Sequence, residues 1–202
     1  MIVFIHCYKI NNWEEILNEQ LDYIEKSGLK ENAEIKICFG NSREETWLKV
    51  YEFAQKNNSY FLCMHVKGVG YYKTEFEEST TKFRRWLMDG VVGNWKEYIS
   101  YLEEYDVVGD NFKDDALYKD IWPDKYSKNC KTVYPKHFSG TMFWTKSEYL
   151  KTLESPDSYI KRYSYNRGMG HETYPCSGKG KFKEVRKDHL VEPYTYWNNG
   201  KE

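Results

Sequence analysis

One segment, residues 60 to 72, constrains the fold of this 202-residue chain more than any other. It opens with an uninterrupted apolar and aromatic run, Tyr60 to Met64, and changes abruptly to a polar loop containing His65, Lys67 and Gly68. Such a run, bounded by turn-forming residues, is typical of a strand covered on both faces. The polar loop therefore falls at the carboxyl end of a buried strand, where ligands bind in open α/β sheets.

The segments before this strand alternate between strand and helix patterns. Runs of β-branched and aromatic residues at 2–7 and 33–39 predict two further strands. Apolar residues at helical spacing over 13–24 and 47–54 predict a helix after each of them. Strand–helix–strand units with short connections pair their strands in parallel through right-handed crossovers. We therefore expect an α/β fold with a mostly parallel central sheet and helices on both faces.

The second half of the chain is less regular. The sequence predicts a helix that is broken or kinked near Gly90, and then a short strand, 105–109, that delivers Asp110 at its end. One further strand is predicted over 137–144. The polar stretch 112–136 lacks a clear period and is typical of a surface insertion such as a lid or an acceptor-binding loop.

Length and charge limit the classes of protein to consider. A chain of 202 residues with 40% hydrophobic residues can bury one good core, which predicts a single domain over 1–202. The 30 basic and 31 acidic residues produce no net field that would attract nucleic acid or an anionic membrane. A nucleic-acid-binding domain using the basic stretch 179–187 remains a weaker alternative.

Cysteine usage and hydropathy bear on the compartment. The five cysteines include no Cys-x-x-Cys pair, which argues against a disulfide framework or a structural zinc site and fits a reducing cytosol. No apolar run is long enough for a signal-peptide core or a transmembrane segment. We therefore expect a soluble, cytoplasmic protein.

Several side chains near the predicted sheet edge could bind an anion. The glycines after Lys67 let backbone amides approach a phosphate closely, and the lysine ammonium can neutralise a diphosphate. Arg84 and Arg85 lie on the next predicted helix, and a guanidinium is a natural bidentate partner for phosphate oxygens. An incidental surface lysine and an exposed charged helix face remain the alternative interpretations.

Histidines and carboxylates offer other chemistry. His6, His65 and His137 all fall in or beside predicted strands, but their positions along the strands argue against a shared metal. Glu172, in an arginine- and glycine-rich segment, is the best candidate for a general base, with Asp110 as a rival.

The order of short motifs in this chain resembles that of a known family. The motifs are His65-x-Lys67-Gly68, Arg84-Arg85-Trp86-x-Met88, Asp106-Val107-Val108-Gly109 and His137-Phe138-Ser139-Gly140-Thr141-Met142-Phe143-Trp144. Together they resemble a group of bacterial and viral glycosyltransferase-like proteins, in which the patterns look like His-Thr-Lys-Gly, Trp-Arg and Phe-Ser-Gly-Asn-Phe-Trp-Trp. The resemblance covers about residues 60 to 153.

The resemblance implies a compact relative of the GT-A glycosyltransferase fold, in which strand ends hold a nucleotide sugar. It implies transfer of the sugar to a glycan or other acceptor. The expected donor-binding residues are His6, Tyr8, His65, Lys67, Gly68, Arg84, Arg85 and Asp110. The expected acceptor-binding residues are Ser139, Gly140 and Trp144, and Glu172 and Asp110 are the expected catalytic carboxylates.

One departure from the family pattern changes the expected chemistry. GT-A enzymes commonly carry Asp-x-Asp, which holds a divalent cation, where this chain has His65-Val66-Lys67. We therefore expect neither a metal nor another cofactor, with the leaving diphosphate neutralised by Lys67 and by Arg84 or Arg85. Thr141 stands where the family pattern has Asn, which weakens the expectation of an acceptor contact there.

A non-catalytic nucleotide- or sugar-binding module of the same fold is the main alternative function. The two hypotheses differ in whether a carboxylate such as Glu172 or Asp110 lies beside Lys67 at the acceptor side of the pocket.

Overall fold

A computed structural model describes residues 1–113, 136–163 and 169–186, except for the side chains of residues 162, 163 and 169. Within these ranges the main sheet has six strands. They are β1 (Ile2–Cys7), β2 (Glu34–Phe39), β3 (Tyr60–His65), β4 (Val107–Gly109), β7 (Phe143–Lys146) and β8 (Phe182–Glu184). The short strands β5 (Phe112–Lys113) and β6 (His137–Phe138) form a separate two-stranded antiparallel sheet.

Five of the six main strands run in one direction. The strand order is β2-β1-β3-β7-β4-β8. β1 pairs in parallel with both β2 and β3, and β4 pairs in parallel with β8. Only β7 runs the other way, antiparallel to β3 and to β4. The expectation of an α/β fold with a mostly parallel central sheet is confirmed.

The helices follow the predicted alternation in the first half of the chain. They are α1 (Trp13–Lys26), α2 (Arg43–Lys56), α3 (Glu77–Met88), α4 (Trp95–Tyr101), α5 (Ser147–Leu150), α6 (Pro156–Tyr163) and α7 (Met169–Thr173). A π-helical turn, Asp89–Gly93, separates α3 from α4, which confirms the predicted break near Gly90. Of the helices in the described ranges, none is both long and apolar enough to cross a membrane.

Each face of the sheet carries its own hydrophobic core. Val3 and Ile5 of β1 point to the face covered by α1, α3 and α4, where Tyr98 is fully buried. Phe4, which alternates with them, points to the opposite face, packed under α2, α5 and α6. Each fully buried large apolar side chain of this kind contributes about 1.5–3 kcal/mol. Period-two alternation along β1 thus places helices on both faces.

The prediction of one strand over 137–144 is wrong. The backbone turns between β6 and β7 because Gly140 and Thr141 both have left-handed φ angles, of 93° and 53°. The apolar residues on either side therefore enter two different sheets. The predicted strand 105–109 is observed as β4, with Asp110 directly after it. Most of the predicted insertion, residues 114–135, lies outside the described residues.

Candidate functional site

The carboxyl ends of β1 and β3 open into a cavity of about 320 Å³. The loop after β3, the start of α2 and the helix α7 all contribute to the lining. Its lining comprises His6, Tyr8, Asn41, Ser42, Arg43, His65, Val66, Lys67, Gly68, Val69, Gly70, Tyr71, His171 and Glu172. The structure therefore brings together five of the residues predicted to bind the donor and one predicted catalytic carboxylate.

The Lys67 loop is held in one conformation by its neighbours. Lys67 is only 7% exposed, and its Nζ lies 5.0 Å from the centre of the Phe83 ring. Its carbonyl oxygen accepts a hydrogen bond of 2.9 Å from Nη1 of Arg84. Gly68 follows with a φ of 106°, and a Cβ there would lie 2.9 Å from the same Nη1. Glycine is therefore required for the close approach of Arg84 to this loop.

Arg84 and Arg85 do not line the cavity. Nε and Nη2 of Arg84 both donate to Oε2 of Glu19, at 2.9 Å and 2.6 Å, and Arg85 donates to the other carboxylate oxygen. Burial acts to raise the pKa of Glu19, but hydrogen bonds from the two arginines leave it below its ordinary value. Arg84 thus supports the backbone of Lys67, a role different from the phosphate contact predicted from the sequence.

Arg43 supplies a second cation to the cavity lining. It is the first residue of α2. Ser42 caps this helix, because its hydroxyl accepts a hydrogen bond of 3.1 Å from the Glu44 amide. Its Nη1 donates to Oγ1 of Thr141 at 3.0 Å and lies 3.7 Å from Oε1 of Glu172. Arg43 is not among the site residues predicted from the sequence. Its position directly after β2 and the helix-capping serine is the signal that could have placed it at this sheet edge.

Three histidines surround Arg43 in uncharged form. Nδ1 of His6 is hydrogen bonded to Oγ1 of Thr46 at 2.9 Å, and Nε2 of His65 donates to the carbonyl oxygen of Gly140 at 3.1 Å. Burial, followed by the Arg43 charge, lowers the pKa of His6 and of His171 to about 4 and that of His65 well below its ordinary value. At neutral pH these side chains therefore offer hydrogen bonds without adding charge.

A metal site is not formed by the side chains of the described residues. Among residues 1–113, 136–163 and 169–186, no group of three or more histidine, cysteine, aspartate or glutamate side chains could hold a metal ion. His137 is in β6, outside the cavity lining, and does not join His6 and His65.

The predicted acceptor residues lie outside the cavity lining. Ser139 is buried and its amide donates to the carbonyl of Asn111 at 3.0 Å. Gly140 contributes its carbonyl to His65. Trp144 is fully buried, and its Nε1 donates to the carbonyl oxygen of Val91 at 2.7 Å. These residues fix the turn before β7 and the core beneath it, and the structure brings none of them to the cavity.

Asp110 is also separated from the cavity. It is fully buried, and its carboxylate accepts hydrogen bonds from the Tyr98 hydroxyl at 2.5 Å, the Arg186 amide at 3.1 Å and Nε of Arg186 at 2.9 Å. A Cβ at Gly90 would collide with this cluster. Burial, followed by the Asp110 charge, raises the pKa of Tyr98 above its ordinary value. Asp110 thus serves as the centre of a closed ion-pair cluster.

Comparisons with protein-family models, with curated proteins and with solved structures find no match to this chain. Its function is therefore inferred from the residues and geometry of the cavity.

Proposed function

We propose that this protein is a nucleotide-sugar-dependent glycosyltransferase with a GT-A-like fold that works without a metal bound by Asp-x-Asp. One observation carries the proposal. A single cavity at the carboxyl ends of parallel strands is lined by two cations, Lys67 and Arg43, and by one carboxylate, Glu172. Cavities at this edge of a parallel sheet are the usual ligand sites of α/β proteins.

The two cations suit a leaving group that gains negative charge. As the bond between the sugar carbon and the diphosphate oxygen breaks, the electron pair stays on the diphosphate. Arg84 holds the backbone of Lys67 by a hydrogen bond, and preorganised charges stabilise the transition state more than the ground state. Arg43 can bind two phosphate oxygens at once.

The carboxylate suits the acceptor. In an inverting transfer the acceptor oxygen forms a bond to the sugar carbon on the face opposite the diphosphate, and its proton passes to a base. Glu172 lines the cavity with Lys67, whereas Asp110 is buried and bonded to Arg186 and Tyr98. The position of Glu172 therefore favours it over Asp110 as this base.

A non-catalytic binding module is the second candidate. It is favoured by the 3.7 Å contact between Arg43 and Glu172, since a carboxylate held by an arginine could serve charge balance alone. Such a module would bind a nucleotide sugar in the same cavity and leave it intact.

A transfer assay tests the proposal. A panel of nucleotide sugars is screened for thermal stabilisation of the protein, and donors that stabilise it are incubated with glycan acceptors while nucleotide release is measured. We expect Glu172→Gln to retain donor binding and lose transfer by at least about 10²-fold, as for loss of a general base. Folded Asp110→Asn protein serves as the comparison. Donor binding without turnover in the wild type would instead support the binding module, and unchanged transfer by Glu172→Gln would remove this residue from the mechanism.

A further inference from the structure

Arg43 and Glu172 form a loose ion pair on the cavity wall. The closest nitrogen–oxygen distance is 3.7 Å, beyond the range of a good hydrogen bond. The two side chains are 26% and 24% exposed, so both are accessible from the cavity. A partly exposed pair that makes no hydrogen bond contributes little to stability. The contact is therefore one that a ligand can replace at small cost.

Arg43 does not depend on Glu172 for its position. Its Nη1 donates to Thr141 at 3.0 Å, and Thr141 is buried in the turn before β7. In the Arg84–Glu19 pair, by contrast, the buried guanidinium donates hydrogen bonds of 2.9 Å and 2.6 Å to the carboxylate, so this pair is part of the folded core. The guanidinium of Arg43 thus stays in the cavity when its carboxylate partner leaves.

We propose that Glu172 is an internal substitute for a phosphate group of the ligand. A phosphate entering the cavity takes the place of the Glu172 carboxylate at Arg43 and frees that carboxylate. The substitution follows from charge, since phosphate oxygens match a guanidinium better than one distant carboxylate oxygen does. Repulsion between the phosphate and the carboxylate then moves Glu172 away from Arg43.

The consequence for the reaction rests on the proposed function. If the freed carboxylate is the base, donor binding prepares the site for the acceptor, and the donor binds first. The displacement itself requires only an anion in the cavity, so it can be tested apart from any transfer activity. Inorganic pyrophosphate is a suitable probe because it carries the two linked phosphates without base or sugar.

A double-mutant cycle measures the displacement. Pyrophosphate affinity is determined by calorimetry for the wild type, Glu172→Gln, Arg43→Gln and the double variant. We expect Glu172→Gln to bind about tenfold more tightly, because the competing carboxylate is gone, and Arg43→Gln to bind about tenfold more weakly. In the Arg43→Gln background, Glu172→Gln should tighten binding much less, since only the direct repulsion between carboxylate and phosphate is then removed. The matched control is Glu45→Gln, which removes an equal charge. Glu45 is exposed, lies on α2 with Arg43 and is outside the cavity lining.

Each outcome separates the hypotheses. Equal pyrophosphate affinity in the wild type and Glu172→Gln overturns the displacement. The displacement is also overturned if Glu172→Gln tightens pyrophosphate binding as much without Arg43 as with it, or if Glu45→Gln tightens binding to the same extent. Absence of pyrophosphate binding to the wild type also overturns it. If the cycle holds but no nucleotide sugar is turned over, the glycosyltransferase proposal fails alone. If transfer occurs and the cycle shows no coupling, this inference fails alone.

Discussion

Two pairs of an arginine with a carboxylate lie at the same edge of the sheet. Their arginines, Arg43 and Arg186, are equally exposed, at 26% and 25%, and the pairs differ in the burial and bonding of the carboxylate. Arg43 and Glu172 meet at 3.7 Å on an open cavity wall, with each side chain about a quarter exposed. Asp110 is 0% exposed and accepts bonds from both the side chain and the amide of Arg186. We refer to the first pair as the open pair and to the second as the closed pair.

The difference shows that position at a strand end does not by itself make a functional site. Asp110 follows β4 in the way that Lys67 follows β3, and both strands run in the same direction. Burial and the number of bonds separate their roles. A buried charge that is bonded to all its partners destabilises the fold when one partner is removed. A partly exposed charge can exchange its partner for a ligand.

The largest expected effect is on stability in the closed pair. Asp110→Asn leaves the guanidinium of Arg186, which is 25% exposed, without its ion-pair partner, and the cost should be at most the roughly 3–5 kcal/mol of breaking a fully buried pair. For a chain of this size each kcal/mol lowers the melting temperature by about 2–4 °C. Glu172→Gln should change stability by less than about 0.5 kcal/mol. Denaturant titration of both variants makes the comparison, and similar losses in the two would contradict the distinction between closed and open pairs.

The next effect is on turnover. Lys67→Ala should lower the rate of transfer by about 10²-fold with a smaller change in donor affinity, because the charge on the diphosphate grows as the bond to the sugar breaks. Lys73→Ala is the matched control. It removes an exposed lysine of the same loop, whose Nζ lies 5.1 Å from the Tyr72 ring centre. Steady-state kinetics of both variants decide the question, and wild-type turnover in Lys67→Ala would reject the role of this lysine.

A fall in pH below 6.5 should lower the free energy of unfolding through two histidines that line the cavity. The pKa of His6 and His171 is lowered to about 4 from an ordinary 6.5, so below pH 6.5 the unfolded chain binds more protons than the folded one. Their contribution to stability is full above pH 6.5 and is lost as the pH falls toward 4. Melting temperatures should therefore fall between pH 6.5 and 5, where carboxylates contribute less.

Two variants test which residue causes this pH dependence. His171→Gln should flatten the fall between pH 6.5 and 5, because the residue that must stay uncharged is removed. Asp110→Asn should lower the melting temperature at every pH without changing the slope in that window. An unchanged slope in His171→Gln would show that His171 does not carry the effect.

The sequence predicted the first half of the fold better than the second. Apolar and β-branched runs and helical patterns identified β1, α1, β2, α2 and β3. All of these elements except β2, in which only Cys38 is buried, bury one face or both. The segment 137–144 defeated the same reasoning, since its apolar residues look continuous while left-handed φ angles at Gly140 and Thr141 divide it. Pairing of β7 between β3 and β4 depends on residues far apart in sequence, which no local pattern encodes.

The candidate site was predicted in part for the same reason. Lys67 and Gly68 were identified because they directly follow a strand, and the structure places both in the cavity lining. Arg84 and Asp110 had the right chemistry, but only tertiary contacts with Glu19 and Arg186 show that their charges are already satisfied. Arg43 was missed because an arginine at a helix start has no motif of its own.

The smallest expected effect is that of a chelator. Under the proposed function, His65-Val66-Lys67 stands where GT-A enzymes have two carboxylates, and the basic side chains Lys67 and Arg43 line the same cavity. Because these side chains can do the work of a metal at the diphosphate, EDTA should leave nucleotide-sugar binding and transfer unchanged. The measurement is transfer after dialysis against EDTA, with and without added manganese. Activity that disappears with EDTA and returns with manganese would show that carboxylates such as Asp106 or Asp110 bind a cation, which would require the closed pair to open and would reverse the roles assigned to the two pairs.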